Sequence, residues 1–240
     1  MSKSIVFLII FSTIISFFLK DNEKIENKEN QYSNIDKNYL LGKVKAHEDT
    51  MFLKIPQKLC LKRTEYIHKD VLPHYLKMYQ EAEKQGINLK IVSAFRSFDS
   101  QKWIWNNKFY ESQNKIDVIL KILKYSAMPG SSRHHWGTDI DLLSTQLSYF
   151  ETNEGIKAYN WLCENANNFG FYQVYTNKPY IGYYEEKWHW TYLPVAKFYL
   201  EEYKKQISYE DIKDFQGSEF AKELNIFEKY VFGIDSLLFK

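Results

Sequence analysis

The chain has 240 residues, of which 45% are hydrophobic, 18% are aromatic and 26% are charged, and its formal net charge is +2. This composition is typical of a globular protein with one catalytic domain and short additions, and it excludes a wholly disordered chain. Acidic and basic residues nearly balance and no long lysine and arginine block occurs, so we expect no nucleic-acid partner.

The first 19 residues have the pattern of a signal peptide or an N-terminal membrane anchor. Lys3 precedes an apolar run over residues 5–19, and a polar stretch follows at once. The run is short for a membrane span, which needs about 17–25 residues, and the residues at its end make a poor cleavage site. Cleavage is therefore left open. We expect an exported protein, periplasmic or at the cell surface, with a possible membrane tether through residues 5–19.

Residues 20–38 are rich in lysine, glutamate and asparagine and contain few apolar side chains. Such a segment buries too little apolar surface to fold, so we predict a polar tether. The domain is predicted over residues 39–240, with a helical C-terminal tail.

Helices and short strands are predicted to alternate through this domain without a regular β-α-β order. The predicted helices are 71–85 with Asp70 as its N-cap, 100–107, 154–169, 195–203 and most of the tail after Ser208. The predicted strands begin at Leu89 and span 138–143, 180–184 and 188–192. The sequence therefore predicts the α+β class, with a small, mostly antiparallel sheet flanked by helices in a single domain.

One predicted helix has a clear apolar pattern. In the helix over 154–169, one face is predicted to contain Ile156, Tyr159, Leu162, Cys163, Ala166 and Phe169. Cys163 and Cys60 are the only cysteines. Whether they pair is left open, and both are taken as core residues.

Two short motifs contain the residue types that a zinc site needs. The sequence is SRHHWGTDID over residues 132–141 and EKWH over 186–189. A catalytic zinc ion takes three nitrogen or oxygen ligands from the protein and leaves a fourth position to water. His134, Asp141 and His189 could supply these three ligands.

Spacing leaves two of these assignments open. Asp139 and Asp141 would point to the same face of a strand over 138–143, and either could be the ligand. His135 is likewise an alternative to His134, although a histidine of the surface or of the packing is the simpler interpretation. A turn at Gly137 is needed to bring the first histidine back to the aspartates.

Glu186 lies three residues before His189 and could accept a proton from the bound water. In an ideal strand these two side chains would face opposite sides. The motif must therefore lie at a bulge or at the entrance of a strand.

Three blocks in a fixed order resemble a known family. SAFRSFDSQ over residues 93–101, SRHHWGTDID and EKWHW are similar to the blocks of the VanY-type zinc D-alanyl-D-alanine carboxypeptidases, which are related to VanX dipeptidases and phage endolysin peptidases. The family pattern Ser-x-His-x-x-Gly-x-x-x-Asp, followed by Glu-x-Trp-His, is met without gaps. The resemblance extends from about residue 40 to the C-terminus.

The resemblance implies one zinc ion per chain, held by His134, Asp141 and His189. It implies Glu186 as the catalytic base and Arg96 as the cation that faces the scissile carbonyl oxygen. Both roles agree with the chemistry of these side chains, since a carboxylate can move a proton and a guanidinium can stabilise an oxyanion.

Two further residues, Ser132 and Gln101, are implied to lie near the bound peptide end together with Arg96. One position departs from the family. The residue two before the aspartate ligand is often small in relatives and is Asp139 here, where it could tune the metal or pair with Arg133.

We therefore expect a zinc-dependent D-alanyl-D-alanine carboxypeptidase that removes the C-terminal D-alanine from peptidoglycan stem peptides. The alternatives are an L,D- or D,D-endopeptidase of peptidoglycan, a D-Ala-D-Ala dipeptidase of the same fold, and a cell-wall-binding module without catalysis. The export segment argues against the dipeptidase, and the intact Glu186 argues against a pure binding module. The preferred stem-peptide length and the oligomeric state are left open.

Overall fold

Helices and short strands alternate along the computed structural model, which describes residues 31–110, 113–177 and 182–234. Between residues 36 and 234 the described α-helices are α1 Lys37–Leu40, α2 Leu72–Glu83, α3 Phe98–Lys108, α4 Lys115–Ile122, α5 Asn153–Asn165 and α6 Leu193–Gln206. The strands are β1 Phe52–Lys54, β2 Tyr66–His68, β3 Ile91–Ser93, β4 Asp139–Leu142, β5 Phe171–Gln173 and β6 His189–Tyr192. After α6 the described chain forms short 3₁₀ turns and one π-helical turn at Phe227–Val231.

Four of these strands form one antiparallel sheet in the order β3-β4-β6-β5, and β1 and β2 form a separate antiparallel pair. In the central ladder Asp141 lies opposite His189, and Asp139 lies opposite Thr191. On the other side of β4, Ser93 of β3 also lies opposite Asp141. A small antiparallel sheet with helices in between confirms the predicted α+β class.

Aromatic rings make up much of the core. Among the largest fully buried side chains are Trp105, Trp136, Tyr75, Tyr199 and Tyr203. Buried rings with a polar atom need a partner for it. The Trp136 indole N–H donates to the Leu40 carbonyl at 3.2 Å, and the Tyr203 hydroxyl donates to the Gly130 carbonyl at 2.8 Å.

The predicted face of α5 is only partly buried. Leu162 and Ala166 are fully buried as expected, whereas Ile156 is 44% exposed and Cys163 is exposed. The other buried residues of the helix are Gly155, Ala158 and Trp161. The helix packs closely at its start, where a Cβ on Gly155 would lie 2.0 Å from the Tyr149 carbonyl oxygen. Cys60 is buried as expected, and both described thiols are free.

Three other local expectations need correction. The N-cap of α2 is Val71, which makes no side-chain cap, and not Asp70. The sequence pattern does not predict the helix α4. The strand predicted over 180–184 is wrong for residues 182–184, which form bends and loop, and its first two residues lie outside the described residues.

The predicted signal segment, residues 1–19, lies outside the described residues, and so do residues 20–30 of the predicted tether. Asp36–Lys240 is one compact unit, and its first helix begins at Lys37, close to the predicted start of the domain. Among the described residues, no helix combines the length and the apolar character needed to cross a membrane.

Candidate metal centre

Three elements bring two histidines and an aspartate together. His134 lies in the 3₁₀ helix Arg133–Trp136, Asp141 lies in β4 and His189 begins β6. Gly137 ends the 3₁₀ helix with a φ of +67° and lets the chain turn back into β4, which is the turn that the sequence predicts. All three side chains are buried, and one ligand atom from each lies within 4.8 Å of the others.

The hydrogen bonds of His134 direct one ring nitrogen towards this centre. Its Nδ1 lies 2.8 Å from the Ala94 carbonyl oxygen, which can only accept, so Nδ1 carries the proton. Nε2 is then left with its lone pair, 3.3 Å from Oδ2 of Asp141. This nitrogen is therefore available to a cation.

His189 is held between two carboxylates. Its Nε2 lies 2.9 Å from Oδ2 of Asp139, and its Nδ1 lies 3.2 Å from Oδ1 of Asp141. Burial works against the charged ring, but the hydrogen bonds that His189 donates to Asp139 and Asp141, together with their negative charges, outweigh it and raise the pKa of His189 to about 9. A cation at Nδ1 would displace the proton from that nitrogen.

The two aspartates and the two neighbouring histidines have different positions in the structure. Asp141 faces both His134 and His189, whereas Asp139 contacts the far side of the His189 ring. His135 is fully buried and points elsewhere. Its Nδ1 donates to the Arg96 carbonyl at 2.6 Å and its Nε2 accepts from the Gly130 N–H at 3.0 Å, while burial lowers its pKa to about 3. It is a neutral, hydrogen-bonded packing histidine.

Glu186 approaches the centre from the loop that enters β6. The His189 N–H donates to the Glu186 carbonyl at 3.2 Å, which forms a turn at the strand entrance, as the spacing of the motif predicts. One carboxylate oxygen of Glu186 lies 3.7 Å from Nδ1 of His189. Burial raises the pKa of Glu186 to about 8, with His189 opposing and Asp141 adding to the rise. A carboxyl group so tuned can take up and release a proton near neutral pH.

Arg96 follows β3 and reaches the same centre. Its guanidinium donates to Ser93 Oγ at 2.9 Å, to Gln101 Oε1 at 3.0 Å and, with a longer contact of 3.4 Å, to Asp141 Oδ2. The amide of Gln101 in turn donates to the Ala127 carbonyl at 2.7 Å. Gln101 is fully buried behind Arg96, so the contacts seen for it fix the arginine, and its substrate-binding role stays a prediction.

One cavity of about 550 Å³ is lined by His134, Asp141, His189, Glu186 and Arg96. Besides the centre itself, its lining includes Ser132, Lys108, Tyr125 and Trp188. The cavity combines an apolar wall with a few converging polar groups, which is the usual construction of a small-molecule or peptide site.

Some functional contacts were beyond the reach of the motif analysis. The motifs assign no role to Ser93, yet its hydroxyl accepts from Arg96 and the residue lies opposite Asp141. They also assign none to Tyr175, whose ring packs 4.8 Å from that of His189. The alternation of Asp139 and Asp141 in β4 was the one available indication of a second carboxylate at the centre.

Known proteins that resemble this chain belong to the family whose motifs the sequence contains. Residues 64–195, more than half of the chain, match the family model described as VanY, D-alanyl-D-alanine carboxypeptidase. The chain is 31% identical over 177 residues to "Putative carboxypeptidase YodJ" of Bacillus subtilis (71% of this chain) and 27% identical over 157 residues to the D-alanyl-D-alanine carboxypeptidase of Enterococcus faecalis (60% of this chain). It spans only 63% and 57% of the lengths of these two relatives.

Two solved structures resemble the fold, each with a TM-score of 0.50. One is VanYB in complex with D-alanine-D-alanine, at 22% identity over 69% of this chain and 93% of that chain. The other is the L,D-carboxypeptidase LdcB, at 25% identity over 67% of this chain and 79% of that chain. By its sequence blocks and by the family match over residues 64–195, the chain belongs to the VanY family of D-alanyl-D-alanine carboxypeptidases.

Proposed function

We propose that His134, Asp141 and His189 bind one zinc ion. Two imidazole nitrogens and a carboxylate oxygen form a donor set that suits zinc. Oδ2 of Asp141 lies 3.3 Å from Nε2 of His134, and the other oxygen, Oδ1, lies 3.2 Å from Nδ1 of His189. One ligand atom from each of the three residues lies within 4.8 Å of the others, which is close enough for all three to approach one cation.

The chemistry that follows is hydrolysis of a peptide bond. Zinc, when bound, supplies a Lewis acid that polarises water and the scissile carbonyl group. Glu186 accepts the proton of the attacking water and returns it to the departing amine. Arg96, held in place by Ser93 and Gln101, donates to the oxyanion of the tetrahedral intermediate.

The substrate that we propose is the D-alanyl-D-alanine end of a peptidoglycan stem peptide, from which the terminal D-alanine is released. The single observation that supports hydrolysis best is Glu186 at 3.7 Å from a candidate zinc ligand in a cavity lined by Arg96. Family membership supports the choice of substrate. A wall-binding module without catalysis has no need of a buried carboxyl group beside the metal.

The test is release of D-alanine from a synthetic stem pentapeptide by the purified full-length protein with zinc. Glu186→Gln is the matched control, because the amide has the shape of the acid but cannot accept the proton. We expect turnover to fall roughly 100- to 10,000-fold in this variant while zinc stoichiometry stays at the wild-type value. If the zinc-loaded wild type released no D-alanine, the proposed substrate would be refuted.

A second candidate is an L,D-carboxypeptidase that removes D-alanine from the tetrapeptide stem. The similarity to LdcB supports it. Pentapeptide and tetrapeptide offered in parallel distinguish the two activities by which one yields free D-alanine. Mass spectrometry of digested muropeptides separates both from an endopeptidase, which would cut cross-links, and a D-Ala-D-Ala dipeptidase would act on the free dipeptide.

We also propose that residues 1–19 direct the protein out of the cytoplasm, since its substrate would lie in the cell wall. The supporting observation is the apolar run behind Lys3. Fractionation of cells that express the full chain tests this, and recovery in the cytoplasmic fraction alone would refute it.

A further inference from the structure

Asp139 is a buried carboxylate that lies beside the candidate metal centre without facing it. It is fully buried, and its Oδ2 lies 2.9 Å from Nε2 of His189, on the side of the ring that points away from Asp141. The sheet creates this arrangement. Asp139 and Asp141 lie on one face of β4, and His189 sits opposite Asp141, so Asp139 reaches its ring from the neighbouring position on that face.

Three further donors fix the Asp139 carboxylate. Nε of Arg133 lies 2.8 Å from Oδ2, and the hydroxyls of Thr191 and Thr138 donate to Oδ1 at 2.7 and 2.8 Å. Together with His189, these groups approach both oxygens of Asp139. The carboxylate therefore has little freedom to rotate.

Arg133 is itself held in place. Its Nη2 donates to the Thr191 hydroxyl at 3.0 Å, and its guanidinium stacks 4.7 Å from the Trp136 ring. Both side chains of the ion pair between Arg133 and Asp139 are buried. Although burial opposes ionisation of the carboxyl group, Arg133 and His189 hold the pKa of Asp139 below its usual range.

We propose that Asp139 is the positioning residue for His189, and that Arg133 serves as its counterion. By accepting from Nε2–H, Asp139 fixes the tautomer and the rotation of the ring, so that Nδ1 presents its lone pair to the metal beside Asp141. Carboxylates that hold a ligating imidazole in this way raise metal affinity. The inference rests on the proposed zinc site, and it answers the question that the sequence leaves open, since Asp139 contacts both Arg133 and the candidate ligand.

A purely structural ion pair between Arg133 and Asp139 is the alternative. The two interpretations predict different effects on zinc affinity. If Asp139 acts through His189, its removal weakens zinc binding even in a folded protein. If it only neutralises Arg133, loss of either partner has the same effect on the metal.

The first experiment measures the zinc dissociation constant of full-length wild type and Asp139→Asn by competition with a chelator. We expect the constant to rise about 10- to 100-fold in the variant. With Co²⁺ in place of zinc, we expect the visible absorption bands to shift, because the ring of His189 changes its orientation. Unchanged affinity and unchanged bands in a folded Asp139→Asn protein would overturn the inference.

A second comparison guards against misfolding, because Asp139→Asn leaves the buried Arg133 without its counterion. Arg133→Gln and the double variant Arg133→Gln/Asp139→Asn differ only in the carboxylate at position 139, and the double variant has no unpaired buried charge. We expect the double variant to bind zinc at least tenfold more weakly than Arg133→Gln. Equal affinities would favour the structural ion pair. Failure of the wild type to bind zinc would instead refute the proposed metal site.

Discussion

His68 makes the stability of the fold depend on pH. The side chain is fully buried at the end of β2, where its Nδ1 accepts from the Asp70 N–H at 3.2 Å and its ring packs 5.7 Å from Tyr199. Burial lowers its pKa from 6.5 to about 4, with Asp70 opposing and Lys69 adding to the shift. The folded protein therefore keeps this histidine neutral at pH values where the unfolded chain protonates it.

The sign follows from proton linkage. Above about pH 6.5 neither state binds the proton, and the penalty is absent; as the pH falls from 6.5 towards 4 the unfolded state gains protons and the fold loses stability. The full loss is about 3 kcal/mol for a shift of this size. Between about pH 7.5 and about pH 5 the loss from this one group is about 2 kcal/mol.

Urea unfolding of His68→Gln and wild type at these two pH values, with a chelator present, measures the effect. We expect the wild type to lose about 2 kcal/mol more than the variant on acidification. Ile67→Val, in the same strand, removes no ionisable group, and we expect it to lower stability by about 1 kcal/mol at both pH values. Parallel pH curves for wild type and His68→Gln would show that the histidine does not titrate as its burial requires.

Three other substitutions test the site and its scaffold. Arg96→Lys keeps the charge but loses the fork that bridges Ser93 and Gln101, so we expect kcat for D-alanine release to fall roughly 100-fold. Gly137→Ala forces a side chain into a φ of +67° and places a Cβ 2.7 Å from the Phe52 ring; we expect urea unfolding to report a loss of about 2 kcal/mol. Lys108→Met removes one of the basic side chains that line the cavity, so we expect KM to rise roughly tenfold for a peptide with a free carboxylate and to stay constant for its amide.

The sequence predicts which residues belong to the candidate metal centre better than it predicts the contacts that these residues make. Side-chain type and spacing identify candidate ligands but leave Asp139 and His135 as alternatives, and only the resemblance to the family motifs singles out His134, Asp141 and His189. The positions of Asp139 and His135 depend instead on which carbonyls and carboxylates surround them, and those groups come from other elements. Arg133, for example, meets Asp139 only because the 3₁₀ helix folds back over β4.

The sequence predicts a helix correctly where its apolar periodicity ends at a glycine that can terminate the helix. The helices near 71–85 and 154–169 end close to Gly86 and Gly170, which both adopt positive φ. The apolar pattern of α5 predicts the burial of Leu162 but not the exposure of Ile156, because close packing at Gly155 decides which side of the first turn faces inward. The eight-residue helix α4 was missed because so short a helix owes its stability to packing more than to its own sequence.

The ladder between β4 and β6 places Asp141 directly opposite His189, although 48 positions separate them along the chain. The spacing of these two side chains therefore depends on backbone pairing and is independent of the length of the intervening segment. Insertions or deletions in the loops between the strands should leave the distance between the Asp141 and His189 side chains unchanged, whereas one extra residue inside β4 would turn Asp141 to the opposite face. Loop length around the cavity can therefore change while the strand pairing keeps Asp141 opposite His189.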